Sequence, residues 1–231
     1  MSGQLTLGLS LSEDSTFGNF FPGRNRELVD TLRMAGGGRG EQYIYFWGAP
    51  GSGRTHLLHS CCHLAHQVGL ATIYLSLNEV TRQANTEVFE GLDSLNLVCL
   101  DDIETIAGKP EWEEAFFHFY NRMKESGRRF IITGNQAPKQ LGLTLNDLVS
   151  RLSWGLVFGL EALNDDEKLQ ALYLRAQGRG LEMPENVAAF LLKHCQRDMN
   201  SLFDILNILD KASLAAQRKL TIPFVKQVLN I

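Results

Sequence analysis

Short, nearly continuous apolar runs recur through the first two thirds of the chain, separated by stretches of helical period. The runs are Tyr43-Ile44-Tyr45-Phe46-Trp47, Ala71–Ser76, Asn96-Leu97-Val98-Cys99-Leu100, Arg129–Thr133 and Gly155–Gly159. Their length and lack of alternation predict strands, with Tyr43–Trp47 and the run ending at Leu100 reading as buried in a parallel sheet. Before and between them the pattern predicts helices over Arg24–Ala35, 54–68, 111–126 and, after Pro138, a short helix and the segment Leu145–Leu152. Residues 78–90 read as a weaker helix. Strand and helix in strict alternation imply right-handed βαβ units around a parallel sheet. From residue 164 the strand signal stops. Asn164-Asp165-Asp166-Glu167 has the polar, acidic composition of a helix start, and three further helices follow: Pro184 to His194, Met199–Arg218 and Thr221 to Leu229. That makes a small all-helical domain of ~70 residues, near the lower size limit for independent stability.

The N-terminal stretch carries no helical pattern, but leucines recur at every second position in Gln4-Leu5-Thr6-Leu7-Gly8-Leu9. Two readings stand. One is an edge strand or a leader without structure; the other is an extended peptide whose alternate leucines fill pockets on a partner, with Gln4 as polar anchor.

Composition narrows the class. A chain of 231 residues with 44% hydrophobic content can bury a sizeable core, and a net charge of −4 argues against a broad electrostatic footprint for DNA. Four cysteines, Cys61, Cys62, Cys99 and Cys195, lie in apolar or helical stretches. They read as reduced, buried thiols of a cytoplasmic protein. No segment approaches ~20 uninterrupted apolar residues and no basic leader precedes an apolar run, so neither membrane nor secretion is expected.

Chemistry concentrates at Gly48-Ala49-Pro50-Gly51-Ser52-Gly53-Arg54-Thr55, between the first predicted core strand and a helix. Successive backbone N–H groups of such a turn converge on an anion, and the helix N-terminus favours negative charge. The pattern is a P-loop, with Arg54 where Lys is usual. Asp101 ends an apolar strand, where ligands gather in open parallel sheets; its carboxylate would hold the water shell of Mg²⁺ while Thr55 ligates the ion. Asn135 follows the strand 129–133 and is placed to orient a water or a phosphate. Arg151 and Arg197, taken singly, read as surface ion-pair formers. His56, His59, His63 and His66 form a stripe on the helix after the loop. With no evident acidic or thiol partner on that face, a polar helix face is a better reading than a metal site.

In this order, the P-loop, Asp101-Asp102, Thr133-Gly134-Asn135, Ser150-Arg151-Leu152-Ser153-Trp154-Gly155-Leu156 and a helical lid resemble the AAA+ module of the bacterial replication initiator DnaA. The resemblance covers about residues 16 to 215. Thr16-Phe17-Gly18-Asn19-Phe20, with Gly23 and Asn25, is similar to that family's adenine-contacting segment. Initiators continue into a basic DNA-reading domain, whereas this sequence stops at Ile231. The short form, Arg54, the leader and the tail Gln217–Val225 look like the DnaA-related regulatory inactivators, the Hda-like branch. That resemblance implies that Gln4, Leu5, Leu7 and Leu9 bind the sliding clamp, with Gly8 where Pro is commoner. It also implies that Arg151 is an arginine finger for the nucleotide site of a neighbouring DnaA subunit.

Three departures from the family pattern point one way. Arg54 replaces a compact ammonium with a planar fork; Asp102 stands where a hydrolase has Glu; Asn200 stands where initiators have a lid Arg, with Arg197 as a candidate substitute. All three weaken γ-phosphate chemistry.

The expected fold is therefore α/β, an AAA+ P-loop NTPase: an arm over 1–15, a parallel αβα sheet domain over 16–160 and a helical lid over 164–231. The expected nucleotide contacts are Phe20, Pro22, Gly48, Pro50, Gly51, Ser52, Gly53, Arg54, Thr55, His56, Asp101, Asp102, Asn135 and Arg197, with ADP as the implied ligand and Thr55 and Asp101 holding Mg²⁺ if it binds. The implied function is negative regulation of replication initiation: nucleotide-bound protein on the DNA-loaded clamp stimulates hydrolysis of ATP on DnaA. DNA contact is indirect or weak, and pairing with its own kind is open. Two rival readings are an ATPase motor resembling a helicase loader, and an adaptor that binds DnaA without using the finger.

Overall fold

A computed structural model describes residues 15–231. Gln4, Leu5, Leu7 and Leu9 therefore lie outside the described residues. The chain divides into two compact units. The first holds 15–17 and Asn25–Leu160; the second holds Gly18–Arg24 and Glu161–Ile231.

The first unit is a five-stranded parallel sheet. Its strands are β1 (Tyr43–Trp47), β2 (Thr72–Ser76), β3 (Leu97–Asp101), β4 (Arg129–Gly134) and β5 (Leu156–Gly159), in the spatial order β2-β3-β4-β1-β5. Helix α1 (Arg26–Gly36) precedes β1, and α2 (Arg54–Gln67), α3 (Leu77–Gln83), α4 (Pro110–Glu125) and α5 (Asn146–Leu152) fill the crossovers. β1 sits between β4 and β5, with Tyr45 opposite Ile132 and Val157. Tyr43, Tyr45, Val98, Leu100, Phe130 and Ile132 point to one face, where Phe116, Phe119, Tyr120 and Met123 of α4 and Leu148 and Leu152 of α5 bury them. α1 and α2 pack against each other, and α2 lies on β2 and β3. The predicted elements match to within one or two residues, with one exception. The weaker helix over 78–90 breaks: Ala84 and Asn85 are extended, and the Asn85 side chain accepts the Glu87 N–H to start a separate 3₁₀ turn over Thr86–Phe89. A local side-chain bond competes successfully with helix continuation there.

The second unit is helical: α6 (Asp165–Gly178), α7 (Glu185–His194), α8 (Met199–Ala216) and α9 (Ile222–Leu229). Asn164 and Glu167 form a reciprocal capping box at the start of α6, and Asp198 and Thr221 cap α8 and α9 with their side chains. Leu172, Val187, Leu191, Leu202, Leu209, Phe224 and Val225 make its core. Gly18–Arg24 belongs to this unit. Arg24 pairs with Glu161 at 3.2 Å and Glu167 at 3.8 Å, and a Cβ on Gly23, which has φ +51°, would press on Glu167 and Leu163. No helix among the described residues is long and apolar enough to cross a membrane.

Candidate functional site

Parallel strands deliver their C-terminal ends to one edge of the sheet, and β1, β3 and β4 bring Gly48, Asp101 and Gly134 to that edge. The loop between β1 and α2 is shaped by glycine at three places. A Cβ on Gly48 would stand 2.7 Å from Ser52 Oγ and 3.0 Å from the Leu160 carbonyl, while Gly51 and Gly53 have φ +76° and +103°. Gly53 is the N-cap of α2 and offers no side chain, so the N–H groups of the first turn lack a side-chain cap. Ser52 Oγ is buried with no hydrogen-bond partner. An orphaned hydroxyl within a glycine cradle at an uncapped helix start fits a phosphate group.

Asp101 is 1% exposed and accepts three hydroxyls: Thr55 at 2.6 Å and Tyr74 at 3.1 Å on Oδ2, and Thr133 on Oδ1. This ties the P-loop helix to β2, β3 and β4. The donor set for a divalent cation is thin by comparison. Thr55 spends its proton on Asp101 and keeps lone pairs that could ligate, and Asp101 is already bonded from both oxygens. Among the described residues no group of three or more His, Cys, Asp or Glu side chains could hold a metal ion.

Arg54 is held inside the site. Its fork donates through Nη2 to Asp102 Oδ1 at 3.0 Å and through Nη1 to Glu104 Oε1 at 3.4 Å. Glu104 Oε2 accepts the backbone N–H of Asn135 at 3.1 Å, which links the end of β4 to the same network. Asp102 sits in the left-handed backbone region, φ 61° and ψ 51°, and donates its N–H to Thr133 Oγ1 at 3.2 Å. Burial, then the neighbouring Asp101 charge, push the Asp102 carboxyl up to about 6, against the pull of Arg54. The Tyr45 hydroxyl donates to the Gln136 carbonyl at 2.6 Å and passes so close to Gly134 that a Cβ there would collide with it.

The remaining expected residues fall in several places. Gly48, Pro50, Gly51, Ser52, Gly53, Arg54, Thr55, Asp101, Asp102 and Asn135 gather at the strand ends, with the Asn135 side chain exposed. His56 donates through Nε2 to the Thr16 carbonyl at 2.9 Å, so it pins the lead-in to α2. Of the histidine stripe, His59 is buried with its ring edge-on to Tyr74, and His66 is exposed. Phe20, Pro22 and Arg197 belong to the second unit, where Arg197 makes an exposed ion pair with Asp165 at 3.4 Å. Arg151 lies one residue before the end of α5, its guanidinium 6.0 Å from the Phe117 ring centroid. It lines a cleft of about 310 Å³ with Phe117, Asp147, Ser150 and Trp154. No carboxylate among the described residues pairs with it in the way Asp102 and Glu104 pair with Arg54.

Sequence reasoning missed Glu104, Tyr74 and Glu113. Glu104 carried a faint signal, an acid three positions beyond the strand-end Asp101. Tyr74 sits within a strand and reads as apolar, and Glu113 is one of several acids in the first two turns of α4.

Comparison with known proteins places these features in a family. The profile of the bacterial DnaA ATPase domain matches residues 11–159, and that of the Hda lid domain matches residues 165–229. Domain III of the replication initiation protein DnaA from Thermotoga maritima superposes with a TM-score of 0.80 at 24% identity, over 96% of this chain and 98% of that one. AMPPCP-bound DnaA from Aquifex aeolicus gives 0.69 at 24% identity, over 88% of this chain and 67% of that one. The RuvB Holliday junction branch migration motor of Thermotoga maritima gives 0.62 at 16% identity, over 89% and 68%. At these identities the structural likeness establishes the AAA+ fold, a parallel sheet with a helical lid.

Proposed function

The chain belongs to the bacterial DnaA ATPase-domain family and carries an Hda-type lid, and we propose that it is a nucleotide-bound regulator of replication initiation that promotes ATP hydrolysis on DnaA and hydrolyses poorly itself. The contrast between two arginines carries this reading. Arg54, the cation nearest the phosphate cradle, is committed to Asp102 and Glu104. Arg151 has no such partner and lines an open cleft, where it is available to another subunit.

In this reading the P-loop glycines, Ser52 and the first turn of α2 hold the phosphates of an adenine nucleotide, as the AMPPCP-bound DnaA neighbours suggest. ADP is the favoured occupant, because Arg54, Asp102 and Asn200 each depart from what a γ-phosphate needs. Phe20 and Pro22 contact the base, Arg197 serves the phosphates, and Mg²⁺, if bound, takes Thr55 and Asp101. Arg151 stabilises the charge that develops on the phosphoryl group in the DnaA site, an effect worth ~10³–10⁵ in rate where such fingers act. Gln4, Leu5, Leu7 and Leu9 dock on the sliding clamp, which brings the protein to DNA, its own DNA contact being indirect or weak. The protein acts in the cytoplasm.

The test is hydrolysis of ATP by DnaA in the presence of DNA-loaded clamp and this protein. Arg151→Ala should return the rate to that of DnaA alone, and removal of residues 1–10 should abolish the clamp-dependent part. Rapid turnover by the isolated protein, unchanged by Arg151→Ala, would establish a motor instead. Full stimulation by the Arg151→Ala variant would leave only an adaptor.

A further inference from the structure

Helix α5, which carries Arg151, spans only Asn146–Leu152. Two turns of helix are too short to hold themselves, so their direction comes from what grips them. At the C-terminal end the Tyr43 hydroxyl donates to the Leu152 carbonyl at 2.9 Å. On the buried side Leu148 and Leu152 enter the core. At the N-terminal end the N-cap residue Leu145 supplies no side-chain bond.

That end is gripped by a side chain from another helix. Glu113 of α4 is 1% exposed, and its two oxygens accept from four groups. These are the N–H of Leu145 at 2.7 Å, the N–H and hydroxyl of Thr144 both at 2.9 Å, and the N–H of Gly108 at 2.8 Å. Burial alone would push this carboxyl up, but the Leu145, Thr144 and Gly108 N–H groups and the Thr144 hydroxyl outweigh it and hold it below its ordinary value. An ionised carboxylate is the side chain that can accept from all four, since it carries no proton of its own to turn against them. One helical turn beyond Glu113, Phe117 of the same helix lies under the Arg151 guanidinium. The N-terminal end of α5 and the Arg151 guanidinium are thus both referenced to α4.

From this we infer that Glu113 is the positioning residue of Arg151, setting the direction of α5 and so the place at which the guanidinium is presented. The inference rests on Arg151 acting on a partner's nucleotide, as proposed above. With the C-terminal end pinned at Leu152, a tilt allowed by a loosened N-terminal end swings the Arg151 side chain, which reaches roughly 6 Å from the helix axis. A tilt of about 10° then moves the guanidinium by about 1 Å, and misplacement of a catalytic group by about 1 Å costs on the order of 10²-fold. Loosening Glu113 therefore lowers the maximal stimulated rate without removing the cation.

The test compares Glu113→Gln with wild type by amide hydrogen exchange and by stimulation of DnaA hydrolysis, with Thr144→Val as a second variant that removes only the hydroxyl bond and keeps the fold. Expected results are faster exchange over Asn146–Leu152 with β3 and α2 unchanged, and a maximal stimulated rate at least tenfold lower at an unchanged half-saturating concentration. Thr144→Val should show a smaller effect of the same kind. Exchange in α5 unaltered by both variants overturns the inference whatever the rates do. Faster exchange with full stimulation, in an assay where Arg151→Ala abolishes it, overturns it as well. Arg151→Ala without effect in that assay overturns the function proposed for Arg151 and this inference with it, and is told apart by the variant that produces it.

Discussion

Replacing Asp102 with Asn should stabilise the protein at neutral pH, and the size of the effect can be worked from the site. The Asp102 carboxyl is raised from its ordinary 3.8 to about 6, by burial first and the Asp101 charge second, even with Arg54 at 3.0 Å. A folded-state pKa above the unfolded one means that stability from this group is fully present below about pH 3.8. It is lost as pH rises through 6. At about 1.4 kcal/mol for each pH unit between the two values, ionised Asp102 costs the fold about 3 kcal/mol at pH 7.5. Asn reproduces the neutral carboxyl in shape, can accept from Arg54 through its carbonyl, and tolerates the left-handed backbone at this position. Its three tryptophans, Trp47, Trp112 and Trp154, all lie in the first unit, so tryptophan fluorescence during urea unfolding reports that unit alone. In EDTA at pH 7.5 the variant's midpoint should rise by about 1 M urea. The gap should close as pH is lowered toward 4. A variant less stable than wild type at pH 7.5, or a gap that does not change with pH, refutes the reasoning.

Arg54→Lys leaves a point charge that reaches only one of Asp102 and Glu104, and should lower the urea midpoint by an amount corresponding to about 1 kcal/mol. Gly134→Ala drives a methyl into the Tyr45 hydroxyl and should cost about 1–3 kcal/mol, read in the same unfolding assay. Glu113 has a depressed folded pKa, so its stabilisation is present above its unfolded pKa and disappears as pH falls through the folded one. Glu113→Gln should consequently unfold more readily than wild type at pH 7, with the difference shrinking on acidification below the ordinary carboxylate range.

The architecture was legible because both-face burial writes itself as unbroken apolar runs, and β1, β3 and β4 are such runs with a glycine or acid at the end. The P-loop was legible because its glycines carry a backbone requirement that no other residue meets. What was not legible is the wiring between distant positions. Arg54 is recognisable as a departure, but its neutralisation depends on Asp102 and on Glu104, which lies fifty residues away. Glu113 is still harder to see: nothing in Glu111, Glu113 and Glu114 says which of them meets Thr144 and Leu145, thirty-one and thirty-two positions on. The break at Ala84–Asn85 was missed because a single capping side chain decided it.

The second unit is assembled from two separated pieces of chain, and this has a consequence for how it comes into being. Gly18–Arg24 emerges from the ribosome early, whereas the residues it packs on, Glu161, Leu163 and Glu167, follow only after the whole sheet has been made. At ordinary elongation rates the early piece waits roughly ten to thirty seconds for its partners. A fragment cut at residue 161 would lack part of its own surface covering, however complete its four helices. The lid is thus finished last and cannot be excised by a single cut.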